Sequence, residues 1–169
     1  MEYKIVKFFN RNFRFLDMPA NFISTYRFQL VFWTVLMLAI FYYDPDGLPA
    51  IAAGFLAVLF HFIVDEGLLK HSLKKYFFRV RPYLAYPKEI TPIGFHQKDS
   101  SFPSSHMAIA FSIFTVYFHY YWTCWPLMLI FVISLAFSRL HKGLHYPSDE
   151  LAGAMLGIVY GAAALLIVG

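Results

Sequence analysis

Five apolar stretches constrain this chain more than any other feature, at about residues 23–43, 48–69, 107–122, 125–138 and 151–168. Each approaches the roughly 20 residues that carry an α-helix across a ~30 Å hydrocarbon layer. Several fall a little short, which suits a thin bilayer region or spans prolonged by polar end turns. Inside lipid a segment must satisfy its own backbone polar groups, so helices are the expected form. The tight connections at 44–47 and 123–126 impose antiparallel helical hairpins. Tyr42, Tyr43, Tyr120, Tyr121, Trp122 and Trp125 cluster at span ends, as aromatic belts do. Composition agrees, with 59% hydrophobic and 14% charged residues, against roughly 45–50% and 25% in soluble domains. That much apolar surface cannot be hidden inside a 169-residue globule. The expected fold is all-α: an integral membrane helical bundle of about five transmembrane helices.

Residues 4–16 precede the first stretch. Lys4, Lys7, Arg11 and Arg14 fall on one side of a 3.6-residue helix, and Ile5, Val6, Phe9, Phe13 and Leu16 cover the other. This is the pattern of a basic amphipathic helix lying among headgroups; a soluble surface helix is the alternative, and the aromatic load counts against it. Residues 17–21, with Pro19, are expected to break the helix. The chain thus divides into an interfacial helix (1–22) and a transmembrane domain (23–169). The first residues interleave bases and aromatics with no separate apolar core, unlike a cleavable signal peptide. The single cysteine, Cys124, excludes an internal disulfide and a cysteine-rich metal site. Residues 70–105 form the one long non-apolar region; it is dense in cations up to Arg81 and interrupted by Pro82, Pro87, Pro92 and Pro103. A loop of that length in so small a protein is usually functional.

With five crossings, the amino terminus, the ends of spans 2 and 4 and the starts of spans 3 and 5 share one face. All 14 Lys and Arg then lie on it. The opposite face offers only Asp44, Asp46 and aromatics. Such asymmetry concentrates positive potential at one membrane surface, suited to an anionic partner held there. A basic balance can also signal nucleic acid, but these cations are tied to span ends and accompany no nucleic-acid-binding motif.

Three clusters meet on the cationic face. The first is Lys74-x6-Arg81-Pro82, where a planar guanidinium fork and a mobile ammonium suit phosphate oxygens. The second is Pro103-Ser104-Ser105-His106, which opens span 3; helix-start amides and the helix dipole form an anion site. The third is Ser138-Arg139-x5-His145-x3-Asp149. Singly, each has a bland alternative: snorkelling cations, a serine cap, an interfacial loop. In this order and spacing they resemble the signature of the type 2 phosphatidic acid phosphatase family (Lys-x6-Arg-Pro, Pro-Ser-Gly-His, Ser-Arg-x5-His-x3-Asp). The resemblance covers about residues 50–168 and departs at one position, Ser105, where the family usually has glycine; serine costs something there if the backbone needs φ > 0.

The resemblance implies a metal-independent lipid phosphatase without cofactors. His145 would attack phosphorus and form a phosphohistidine, with Asp149 reaching back to its other ring nitrogen. His106 would protonate the leaving oxygen and then activate water. Lys74, Arg81 and Arg139 would hold the phosphoryl oxygens, assisted by Ser104 and the amides of Ser105 and His106. The substrate would carry its phosphate at the surface and its chains in the bilayer. Family members of this kind include lipid A 1-phosphatases, phosphatidylglycerophosphate phosphatases and undecaprenyl-diphosphate phosphatases, and the many cations favour the multiply charged lipid A 1-phosphate. A lipid phosphotransferase, or a non-enzymatic anion-binding membrane transporter, are the alternatives. Soluble vanadate haloperoxidases share the signature, but the apolar spans argue against them. The resemblance implies an extracytoplasmic site in bacteria, on the periplasmic face of the inner membrane, whereas the positive-inside rule points to the cytoplasm.

Other polar groups receive plainer readings. His61 reads as a satisfied bundle residue, and Asp65 and Glu66 either as functional charges, given the cost of burying charge in lipid, or as interfacial partners of Lys70 or His71. His141 and Lys142 touch a headgroup or lie in a surface loop, and Glu150 is a helix N-terminal charge. Gly153, Gly157 and Gly161 form overlapping small-residue motifs, read either as a homodimer face or, at least as readily, as close packing within the bundle.

Overall fold

The apolar stretches become the five long helices of a computed structural model, which describes all residues except Pro45, Leu73, Phe95, His96 and Gly169, together with the side chains of Tyr26, Lys70, Ser72, Lys74 and Lys75. They are α3 (Tyr26–Tyr43), α4 (Leu48–His61), α7 (Ser105–Tyr120), α8 (Trp125–His141) and α9 (Pro147–Val168), with α1 (Glu2–Asn12), α2 (Asp17–Ile23), α5 (Lys74–Phe77) and α6 (Pro82–Ala85) as shorter pieces. Proline in the first turn of α4, α6 and α8 sets φ where an amide has no intrahelical partner to lose. Thr25 starts α3 by accepting the Phe28 amide on its hydroxyl.

Beyond His61, α4 widens into a π-helix over Phe62–Ser72. The continuous span Leu48–Leu69 has a mean hydropathy of 2.0. Among the described residues, this span, Trp122–His141 and Pro147–Val168 are long and apolar enough to cross a membrane. The segments Arg14–Ile23 and Arg27–Tyr43 meet the same test only as a pair bent by 55°. The 16-residue α7 falls short of that length, so length and composition mark three spans, or four with the bent pair. The outward faces fit a lipid surround: Leu30, Leu38, Phe55, Leu127, Ile130, Leu151 and Met155 are exposed, a load of apolar surface that water would not tolerate on a stable monomer.

Small residues set the helix spacing. Ala50, Ala53, Gly54 and Ala57 line the buried stripe of α4, and the core they share holds Ile113, Val116, Tyr117, Tyr160 and Ala164. The closest approach is between α7 and α9. A Cβ added at Gly153 would meet the Ser104 carbonyl oxygen at 2.4 Å, at Gly157 the Ala108 carbonyl oxygen at 2.3 Å, and at Gly161 the Thr115 Cβ at 2.6 Å. All three glycines are buried in this contact, which corrects the homodimer reading: the small-residue face is consumed by a helix of the same chain.

The amino-terminal segment also differs from expectation. The first helix stops at Asn12, a short 3-10 turn covers Arg14–Leu16, and α2 begins at Asp17 where a break was expected. Pro19 falls in the first turn of α2, where it costs no hydrogen bond. In addition, α1 packs into the protein. Val6 and Asn10 are fully buried; the Asn10 amide donates to the carbonyls of Thr91 and His141, 2.8 Å each, and its oxygen accepts the Thr91 N–H. Phe8, Phe15, Met18 and Phe22 remain exposed as an apolar outer face. Ser138 Oγ donates to the Ala20 carbonyl at 2.6 Å, so α2 is tied to α8 across the 22/23 boundary drawn from sequence.

Leucine at position 157 would drive a side chain into the backbone of α7, an overpacking cost of order 1–3 kcal/mol or more. Gly157→Leu is expected to lower the thermal midpoint in detergent by several degrees or abolish folded protein, while Met155→Ala on the outward face changes it little; thermal unfolding of the two variants checks the contrast.

Candidate active site

The third motif is folded by a glycine. Gly143 adopts φ +70° after the end of α8, and a Cβ there would meet Ile90 Cγ2 at 2.5 Å. The Leu144 amide then donates to the Arg139 carbonyl at 3.2 Å, a helix-ending reversal of the kind glycine permits. This turns the chain so that His145, six residues past Arg139, comes back beside it. Arg139 Nη2 lies 3.0 Å from His145 Nε2, and Arg81 Nη1 lies 3.2 Å from the same nitrogen.

The tautomer follows from the partners. Guanidinium groups can only donate, so Nε2 carries the lone pair; on the other side Nδ1 donates to the Ser101 carbonyl at 2.7 Å. His145 is almost fully buried. Burial pushes its pKa well below the ordinary value, and the neighbouring Arg139, Arg81 and His106 push the same way. The imidazole is neutral, with its nucleophilic nitrogen facing two cations.

Arg81 sits just before α6 and is 1% exposed. It donates to Asp99 Oδ1 (2.7 Å), to the Ser100 and Leu144 carbonyls (3.1 Å each) and to Gln97 Oε1 (3.3 Å). Such a mesh fixes the fork in place before any ligand arrives. Ser104 caps α7 and is buried; its amide donates to the Asp149 carbonyl at 3.1 Å, locking the start of α7 onto the start of α9. That amide is therefore committed within the protein rather than offered to an anion. Ser105 begins α7 in ordinary helical backbone; no described non-glycine residue has positive φ, so serine in place of the family's glycine is unstrained. Its hydroxyl donates to Glu66 Oε1 at 2.7 Å. His106 Nε2 lies 3.3 Å from the Ser24 carbonyl. Arg81, Ser105, His106, Arg139 and His145 all line one cavity of about 340 Å³. Of the expected residues, Lys74 lies outside the described side chains.

Asp149 is placed differently from expectation. Its Oδ2 is 4.0 Å from His145 Nδ1 and instead accepts the Tyr146 amide at 2.8 Å. Its Oδ1 takes the Arg79 guanidinium at 2.6 Å. Sitting in the first turn of α9, the carboxylate closes its own helix start, and the Ser101 carbonyl is what orients His145. Glu150 Oε1 lies 3.9 Å from the same ring nitrogen, within a buried side chain. Arg79 went unremarked in the sequence because it lies between the motif positions. It joins Asp149, Ser148 and Glu2 and lies 4.0 Å over the Tyr146 ring, so α1 is clamped to the start of α9.

Other polar residues are also deeper than read. His61 and Asp65 are fully buried, with Nδ1 2.9 Å from Asp65 Oδ2, and Tyr160 donates to Asp65 Oδ1. Asp65 thus pairs with His61 and Tyr160 rather than with His71, at the point where α4 becomes a π-helix, a distortion frequent at functional sites. His61 Nε2 finds no hydrogen-bond partner among the described residues, and His61 lines the cavity of His145. His141 and Lys142 are buried rather than in a surface loop: His141 bridges the Phe9 carbonyl and Asp17, and Lys142 donates to Asn21 Oδ1 and Ser24 Oγ.

Residues 48–169 match the family model of the PAP2 superfamily. The chain belongs to the PAP2 superfamily. The matched residues include Arg81, His106, Arg139 and His145, which line the cavity. Within the superfamily the chain is similar to the lipid A 1-phosphatase of Rhizobium etli, 34% identical over 65% of this chain and 52% of that one. It is also similar to the undecaprenyl-diphosphatase BcrC of Bacillus subtilis, 33% identical over 56% of this chain and 48% of that one. The chain spans about half the length of these curated relatives. The crystal structure of Aquifex aeolicus LpxE superposes with a TM-score of 0.70 and 25% identity, covering 96% of this chain and 93% of that one.

Because the folded-state pKa of His145 lies below its unfolded value, the unfolded chain takes up the proton first as pH falls. This residue's contribution to stability is complete above about pH 6.5 and is lost progressively below it. NMR of the ring nitrogens is expected to show His145 still neutral in the folded protein below pH 6.5.

Proposed function

We propose that this PAP2 protein is a metal-independent phosphatase of anionic membrane lipids, acting through a phosphohistidine on His145. One observation carries the reading: His145 Nε2 presents its lone pair to a cavity between two buried arginines, where no proton competes for it. A phosphate ester entering there places its oxygens on Arg81 and Arg139 and its phosphorus before Nε2. As the N–P bond forms, positive charge develops on the ring and is drawn off through Nδ1–H to the Ser101 carbonyl, with Asp149 and Glu150 about 4 Å away. Arginines already held in position lose no reorganisation energy at that moment. His106, on the first turn of α7, gives its proton to the leaving oxygen and then takes one from the water that breaks the N–P bond. Lys74 is assigned to the phosphoryl oxygens, assisted by Ser104 and the Ser105 and His106 amides, by family motif.

The substrate reading is a lipid whose phosphate lies at the surface, with lipid A 1-phosphate favoured by the density of cations, followed by phosphatidylglycerophosphate and undecaprenyl diphosphate. The relatives named for lipid A and undecaprenyl diphosphate support this range. The proposed setting is five crossings of a bacterial inner membrane, with α7 sheathed by its longer neighbours and the site on the periplasmic face.

His145→Ala is expected to reduce phosphate release from micellar lipid phosphates by about 10³-fold or more, and His106→Ala to leave a radiolabelled phosphoryl group on the protein after reaction with a labelled substrate. Unchanged release by His145→Ala would overturn the mechanism. For sidedness, a cysteine placed at Asp46 should resist an impermeant thiol reagent in intact cells, since it lies opposite the site.

A further inference from the structure

His61 and Asp65 form a second histidine–carboxylate pair that the chemistry above does not use. Both are fully buried. Asp65 lies inside the apolar span Leu48–Leu69, where an ionisable side chain is costly and commonly functional. Its Oδ1 accepts the Tyr160 hydroxyl, and its Oδ2 lies 2.9 Å from His61 Nδ1. A carboxylate can only accept, so it fixes the tautomer: Nδ1 carries the proton and Nε2 the lone pair. Nε2 is buried and finds no hydrogen-bond partner among the described residues. A histidine kept only to pin α4 to α9 would leave that acceptor uncompensated.

The surroundings of Nε2 lead to the general acid. His61, Glu66, Ser105 and His106 line the same cavity as His145. Glu66 Oε1 lies 3.9 Å from His61 Nε2 and accepts the Ser105 hydroxyl at 2.7 Å. Ser105 directly precedes His106 at the start of α7. The cavity, of about 340 Å³, has room for water beside a phosphoryl group, since one water takes roughly 30 Å³ in the liquid.

We propose that His61, held by Asp65 and Tyr160, orients the water that hydrolyses the phosphohistidine. The proposal rests on the phosphatase reading and gives it a further catalytic residue. After the first half-reaction the phosphoryl group is on His145 Nε2, and His106 has given up its proton. A water then donates one O–H to His61 Nε2 and the other to His106. With both hydrogens held, its lone pairs are aimed at phosphorus. The O–P bond forms as the N–P bond breaks, and the electron pair of that bond returns to His145 Nε2. The proton leaving the water goes to His106, which is restored as the acid, and inorganic phosphate departs. His61 accepts a hydrogen bond throughout and takes no proton. Attack of His145 on the lipid phosphate involves no water, so the first half-reaction does not call on His61.

The test uses the purified full-length chain in detergent with lipid A 1-phosphate, phosphatidylglycerophosphate and farnesyl diphosphate, each radiolabelled in the phosphoryl group removed, and rapid quenching. His61→Phe keeps a ring at this position and removes the acceptor. It is expected to slow the loss of label from the protein about tenfold or more, the order of one hydrogen bond to the reacting water. Incorporation of label changes little, so labelled phosphoprotein accumulates in the steady state. Equal slowing of both steps, as a merely structural role gives, or no change in either, would overturn the proposal and leave the phosphatase reading intact. Wild-type protein that takes label from none of the three lipids would overturn the phosphatase reading, and the proposal with it. Should His61→Phe fail to fold, nitrogen NMR of the wild-type protein at neutral pH is expected to show His61 protonated at Nδ1 and bare at Nε2; a proton on Nε2 would sink the proposal.

Discussion

The contact between α7 and α9 is the constraint on which the site depends. Three glycines at four-residue intervals remove every side chain that would separate the two helices, and the backbone of α7 fills the space. The Ser104 amide meets the Asp149 carbonyl at the top of this contact. Two motifs more than thirty residues apart are thereby joined through backbone atoms, which side-chain motion cannot loosen. With α9 fixed, the glycine turn at Gly143 has one place to return His145: beside Arg139 and under Arg81.

The second theme is how the protein keeps so much positive charge near one nitrogen. Arg81 is held by Asp99, Gln97 and three backbone carbonyls, while Asp149 and Glu2 are committed to Arg79. Arg139 and Lys142 line cavities. Burial together with Arg139, Arg81 and His106 keeps His145 unprotonated, although Glu66 and Asp99 also line its cavity. The amino-terminal helix takes part in bracing the site. Through Asn10 and the Glu2–Arg79 pair it supports the loop and the start of α9, so it belongs to the wall of the site.

Much of this was legible in the chain. Apolar runs gave the helices, proline and glycine their ends, and three spaced motifs the cations and histidines. What could not be read was which polar atom meets which. The i, i+4 spacing of His145 and Asp149 made their hydrogen bond plausible, yet the carboxylate serves the helix start and a backbone carbonyl takes the imidazole N–H. His61 and Asp65 share the same spacing and do pair, but only the packing of α9 supplies Tyr160 and turns His61 toward the cavity. Arg79 has no motif to mark it, and the burial of Lys142 depends on α2, a helix the sequence reads as a break.

The sequence by itself determined the solvent, the helical class, the family signature and the concentration of cations at one end, because hydrophobic period, chain length and residue type are local properties. Only the tertiary structure decided that the glycine stripe serves α7 rather than a second copy, that Ser101 rather than Asp149 orients His145, and that Lys142 is buried beside a second cavity. Those outcomes depend on which surfaces meet, and a backbone carbonyl or a neighbouring helix competes for each polar group on terms that no spacing along the chain records.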